Sequence, residues 1–185
     1  MTLRDNTDIL ITPIGSIPTQ QLKAIAESVS DQFGIQTRIG NTLPDIEFAF
    51  DKEREQYHST SILTALQELI PDKTIKIIAL VQEDLFIPIL THVYGEAQLN
   101  GETCIVSSHR LKEEFKTSST QQELTDRLIK EVFHELGHTF GLLHCKDPSC
   151  IMHYCRSIRD VDRKSMGFCR YCGVLLQDAY KKLTA

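Results

Sequence analysis

The segment His134-Glu135-Leu136-Gly137-His138 constrains this chain more than any other part of it. Side chains four residues apart on a helix lie one turn above each other, so both imidazoles can reach one ion. Glu135 follows the first histidine directly and can reach a neighbouring water without being a ligand. Gly141 permits a sharp exit from the helix with positive φ, and the turn returns His144 as a third nitrogen ligand. Three neutral imidazoles on zinc leave the fourth position to water, the arrangement of a catalytic site. The supporting helix is legible upstream, where Leu124, Leu128, Val132, Leu136 and Phe140 recur every four residues as an apolar stripe. Thr120 and Glu123 have the spacing of a capping box and put its start near Ser119 or Thr120.

Five of the six cysteines follow this motif, between Cys145 and Cys172. Cys145 with Cys150 and Cys169 with Cys172 form two near pairs separated by 18 residues. Two such pairs close a tetrahedral thiolate cage around a structural zinc ion, the alternative being buried thiols or two disulfides. A closed cage leaves no open position, so this ion is expected to fold the region and not to catalyse. Cys104 falls in an apolar run and reads as an inert core thiol, while Cys155 lies outside the paired spacing and receives no role. Four thiolates and two zinc ions cancel in charge, leaving the formal −5 of the chain unchanged.

The first half of the chain alternates helix and strand, which points to an α/β core with a mixed sheet. Residues 8–13 read as a short buried strand and 19–32 as a helix stopped by Gly34; 35–39 read as a second strand. A longer helix is expected over 52–70, ended by Pro71-Asp72. Strand-like runs return at 75–81, near 92–98 and at 103–107, and the last two are joined by Asn100-Gly101, a tight-turn signal. Beyond Gly141 the periodicity stops, predicting a loop-rich region up to the amphipathic tail of residues 173–183. The 185 residues fit a single catalytic domain, divided into an α/β part (1–141) that includes the active-site helix and a zinc-bound part (142–185).

Charge and composition exclude several functions. The net charge is −5, and the one dense basic run, Arg156 to Lys164, contains two aspartates, so no nucleic-acid partner is expected. No segment approaches 18 apolar residues and the N-terminus has no signal-peptide pattern, so neither a membrane span nor secretion is indicated. A cytoplasmic monomer is the expectation, and a reducing compartment suits clustered thiolates bound to metal.

His134, Glu135, His138, Gly141 and His144, with Met152 eight residues later, resemble the extended signature of the metzincin clan of zinc peptidases and its methionine turn. Cys145, Cys150, Met152, Cys169 and Cys172 narrow the resemblance to the archaemetzincins. Arg54–His58 and Tyr94–Ala97 also look like features of that family, but carry no assigned role. The resemblance implies a metzincin-like fold and zinc-dependent hydrolysis of peptide bonds, with zinc-bound water activated by Glu135 as general base. It also implies a hydrophobic floor at Met152, and a tyrosine, Tyr154, as a donor near the metal. Two zinc ions are expected, one catalytic and one structural. The hairpin near 92–107 is expected to offer an edge strand to an extended peptide substrate. The rival reading is a zinc-binding peptide-recognition or regulatory protein with little or no peptidase activity; retention of Glu135 weighs against it. Substrate sequence, and end-directed against internal cleavage, are not encoded legibly.

Overall fold

Along the central strands apolar side chains alternate between two faces. Ile9, Ile11, Ile78, Leu80, Cys104 and Val106 enter one core cluster, while Leu10, Ile77, Ala79, Val81 and Ile105 enter another. This is the period-two signature of a sheet covered on both sides. The computed structural model describes residues 7–40, 43–112 and 121–184. In chain order its elements are β1 (Asp8–Pro13), α1 (Thr19–Phe33), β2 (Gln36–Ile39), β3 (Phe50–Asp51), β4 (Gln56–His58) and α2 (Ser59–Gln67). There follow β5 (Thr74–Val81), β6 (Leu85–Phe86), β7 (Gly95–Ala97), β8 (Thr103–Ser107), α3 (Gln121–Thr139), α4 (Ile158–Arg163) and α5 (Arg170–Thr184).

Five strands form the main sheet in the order β2-β1-β5-β8-β7, all parallel except β7, which runs antiparallel to β8 at the end of the sheet. A second, small sheet has the order β3-β4-β6. Helices α1 and α3 cover one face of the main sheet, with Phe33 of α1 stacked on Phe140 just past α3 at 5.6 Å. Helix α2 covers the other through Ile62, Leu63 and Leu66. Ile151, Met152, Ile158, Val161, Cys172 and Leu176 join the α1–α3 cluster, so the C-terminal region shares that core.

The expected helix over 52–70 is shorter in the structure, spanning Ser59–Gln67, and residues 50–58 are strands and a turn. Turn chemistry wins there. Asp51 Oδ1 accepts the N–H groups of Glu53 and Arg54 in a tight turn, and Glu55 adopts φ 55°, which ends any helix begun there. The strand expected near 92–98 reduces to Gly95–Ala97. Asn100 takes a left-handed φ of 57° in the hairpin turn. The region read as loops contains α4, opened by a capping box of Ser157 and Asp160. Thr120 of the other expected box lies outside the described residues.

Candidate metal centre and active site

Helix α3 presents His134 and His138 on one face, and each ring is oriented by a backbone carbonyl. His134 Nδ1 lies 2.8 Å from the Ile151 oxygen, and His138 Nδ1 lies 2.7 Å from that of Leu142. A carbonyl can only accept, so each Nδ1 carries the proton and each Nε2 keeps a lone pair. These two Nε2 atoms face each other at 3.2 Å. Two lone pairs at that distance repel unless a cation lies between them. Two nitrogens bound tetrahedrally to zinc would be about 3.3 Å apart, so the residues fit the ion. Ligand nitrogens of His134, His138 and His144 all lie within 4.8 Å of one another. Burial, followed by the charge of Lys164, holds His134 well below the ordinary imidazole range; burial also lowers His138 and His144. Neutral imidazole is the ligating form.

The helix ends where the chain must turn for His144 to come back beside His134 and His138. Gly141 has φ 87°; its N–H bonds the His138 carbonyl (2.9 Å) and the Leu142 N–H bonds that of Gly137 (3.0 Å). This pair of bonds is a Schellman stop, and it redirects the chain toward His144. The hairpin turn between β7 and β8 locks it. Asn100 donates its N–H to the same His138 carbonyl at 3.1 Å, while buried Lys76 donates to the carbonyls of Gly101 (2.6 Å) and Thr139 (2.9 Å).

Two glycines make room for functional side chains. A Cβ on Gly95 of β7 would lie 2.7 Å from Glu135 Cγ, so Glu135 rests directly against the end strand. A Cβ on Gly137 would lie 2.4 Å from Met152 Sδ, so the Met152 side chain seats beneath α3 in the space this glycine leaves. Burial raises the Glu135 carboxyl well above its ordinary range; Glu131 and Glu96 add to this and Lys164 opposes. A divalent cation at the imidazoles acts in the opposite direction.

The four cysteines converge as their spacing predicts. Cys145, Cys150, Cys169 and Cys172 bring their sulfurs within 4.8 Å of one another, and among the described residues all six cysteines are free thiols. Cys145 and Cys169 sulfurs are 3.8 Å apart, matching the about 3.8 Å expected of two thiolates tetrahedral on zinc. The Cys169 N–H points to Cys150 Sγ at 3.3 Å. Cys145 N–H also bonds the Met152 carbonyl at 2.8 Å, tying the cage to the methionine turn. Cys104 is fully buried and its thiol is pushed well up by desolvation, as an inert core thiol should be. Cys155 is pushed up to about 11, by burial and then by Glu131, and stands outside the four-sulfur cluster.

The imidazoles and Glu135 open onto a cleft of about 510 Å³. Its walls include Tyr94–Ala97, Leu90, Leu143 and Tyr154. The Tyr154 ring is half exposed, 5.0 Å from that of His144. Sequence reasoning missed Gly95, Lys76, Asn100, and the buried pair of Lys164 with Glu131 at 2.7 Å beside the cleft. The unexplained Tyr94–Ala97 segment hinted at the first, and Asn100 was read only as a turn residue; the others act across long separations in the chain.

The sequence model described as peptidase family M54 matches residues 43–178. An archaemetzincin of Pyrococcus furiosus is 36% identical over 171 residues, covering 89% of each chain. The crystal structure of archaemetzincin from Methanopyrus kandleri superposes with a TM-score of 0.82 at 34% identity, covering 98% of this chain and 99% of that one. An archaemetzincin from Archaeoglobus fulgidus, complexed with malonate, gives 0.76 at 31% identity over 91% and 99%. The whole-chain match embraces both the three-histidine and the four-cysteine clusters, and with it the chain belongs to peptidase family M54, the archaemetzincins, as a zinc metallopeptidase.

Proposed function

We propose that His134, His138 and His144 hold the catalytic zinc, that Cys145, Cys150, Cys169 and Cys172 hold a second, structural zinc, and that Glu135 is the general base of peptide hydrolysis. The facing Nε2 atoms of His134 and His138, with Glu135 beside them on the cleft floor, carry this reading. A zinc ion held by these three imidazoles would supply Lewis-acid chemistry, lowering the pKa of water and polarising a carbonyl. Glu135 takes a proton from the attacking water and returns it to the leaving amine. Tyr154, on the cleft wall, donates to the developing oxyanion. β7 ends the main sheet, so its outer side is available to the backbone of an extended peptide.

The same reading assigns residues 1–141 the sheet, base and first two ligands, and residues 142–185 the third ligand, methionine floor and thiolate cage. It takes the chain as a monomer acting on peptides in the cytoplasm, without a nucleic-acid partner. No helix among the described residues is long and apolar enough to cross a membrane. Turnover of a diverse peptide library by the zinc-loaded protein tests the proposal; a parent inactive on every peptide, or a Glu135→Gln variant as active as the parent, would refute it.

A further inference from the structure

The segment Arg54–His58 lies beneath one wall of the cleft. Residues 87–94 leave β6 and return where Val93 bridges Leu85, with the Val93 N–H on the Leu85 carbonyl at 2.9 Å. Ile87, Leu90, Val93 and Tyr94 of this excursion line the cleft. Its tip is held by side chains from elsewhere. Arg54 Nη2 donates to the carbonyls of Leu90 (2.8 Å) and Thr91 (3.2 Å). Gln56 Nε2 donates to that of Thr91 (3.0 Å) and to Asp84 Oδ2 (2.8 Å). Arg54 Nε donates in turn to Gln56 Oε1 at 3.1 Å, and the guanidinium carbon lies 4.2 Å from the centre of the Phe86 ring. Arg110 anchors the far end through two bonds to Asp84. A planar guanidinium holding two adjacent carbonyls is a geometric clamp, a task that an ammonium point charge performs poorly.

Most of the side chains this wall presents are apolar, Thr91 and His92 being the polar ones among them. Leu90 is 39% exposed, and Leu143 and Leu99, also lining the cleft, are 66% and 51% exposed. The acidic groups nearby are already engaged. Glu131 pairs with Lys164, and Glu96 accepts from the hydroxyls of Ser59 and Thr60. Large apolar side chains shown to solvent in a cleft, with the neighbouring carboxylates satisfied and Arg156 exposed among the other lining residues, mark a subsite for an apolar group.

We propose that Arg54, supported by Gln56, is a positioning residue for substrate selection: it holds the 87–94 wall in the shape that receives an apolar peptide side chain beside the scissile bond. The inference rests on the peptidase reading of the cleft. The test uses the full-length, zinc-loaded protein at matched zinc content. Its substrates are peptides identical except for Leu, Ala or Asp on either side of the cleaved bond. The parent should prefer Leu over Asp by about tenfold or more in kcat/KM on one side. Arg54→Ala should shrink that preference by about fivefold or more, with the loss falling on KM for the Leu peptide and not on kcat. Arg54→Lys, keeping charge but losing the fork, should recover part of it. Leu90→Ala, at an exposed side chain, should shrink the same preference, and it carries the test with Arg54→Lys should Arg54→Ala fail to fold. An unchanged preference in these variants, or a loss equal for all peptides and confined to kcat, overturns the inference. A parent that cleaves no peptide refutes the peptidase reading beneath it.

Discussion

Gly95 and Glu135 share a space that only one of them can fill: a methyl group on Gly95 would lie 2.7 Å from Glu135 Cγ and 2.9 Å from its Oε1. The same methyl would meet the Ile105 carbonyl at 2.7 Å, so neither the side chain nor the sheet can simply step aside. Gly95→Ala should therefore displace Glu135, the proposed general base, while leaving all seven proposed metal ligands in place. Misplacing a reacting group by about 1 Å costs about 100-fold in rate, so kcat/KM should fall by about 10- to 100-fold. Zinc content measured alongside activity should match the parent; full activity would show that Glu135 does not depend on this contact.

Glu135→Gln keeps size and polarity but removes the proton acceptor. General-base contributions run at about 100- to 10,000-fold, so kcat/KM should fall by about 3 to 5 kcal/mol of transition-state stabilisation at parental zinc occupancy. His138→Ala should instead lose both the catalytic metal and activity. Peptide turnover normalised to bound zinc separates the two outcomes.

Native mass spectrometry under reducing conditions should find two zinc ions per chain, one per cluster. Graded chelation should then remove them with different consequences. Losing the thiolate-bound ion should melt the 145–172 region, because cage formation and local folding are coupled. Losing the histidine-bound ion should leave the sheet and α3 intact, since their hydrogen bonds do not pass through it. Amide exchange read at both stages checks this, and identical losses would merge the two proposed roles.

Lys164 and Glu131 form an ion pair whose side chains are 0% and 4% exposed. Burial opposes the charge of Lys164, but Glu131, with Cys155 adding, holds its ammonium above the ordinary range. Lys164→Met leaves the carboxylate buried without a partner and should destabilise the fold by about 3 to 5 kcal/mol. Replacing both partners, as Glu131→Leu with Lys164→Met, should recover at least half of that loss. Urea unfolding at constant zinc occupancy measures the difference; additive losses would mean the pair is not energetically coupled.

Burial works against the charge of Asp84, yet hydrogen bonds from Arg110 and Gln56 hold its carboxyl below the ordinary range. A carboxyl lowered on folding contributes stability in full above its unfolded value of about 3.9 and loses it as pH falls through the lower folded value. The parent should thus be more stable than Asp84→Asn at pH 6, and the gap should close below about pH 4. A gap that stayed constant down to pH 2.5 in urea titrations would deny the ion pair that role.

The metal chemistry of this chain is local in sequence, which is why it was legible there. His134 and His138 are related by helix period, and Gly141 and the cysteine pairs by turn-length spacing, so motif and periodicity alone located both clusters. The alternating helices and strands likewise carried the α/β core, because period two and period four are properties of short windows. Residues 50–58 escaped that reading because the Asp51 turn and the pairing of β4 with β6 overrode the helix-favouring polar run from Lys52 to Gln56. Tertiary structure alone decided what surrounds the chemistry. Gly95 meets Glu135, Lys76 reaches the Thr139 carbonyl, Lys164 neutralises Glu131, and Arg54 grips Leu90, each across 33 residues or more, separations that no short sequence window connects.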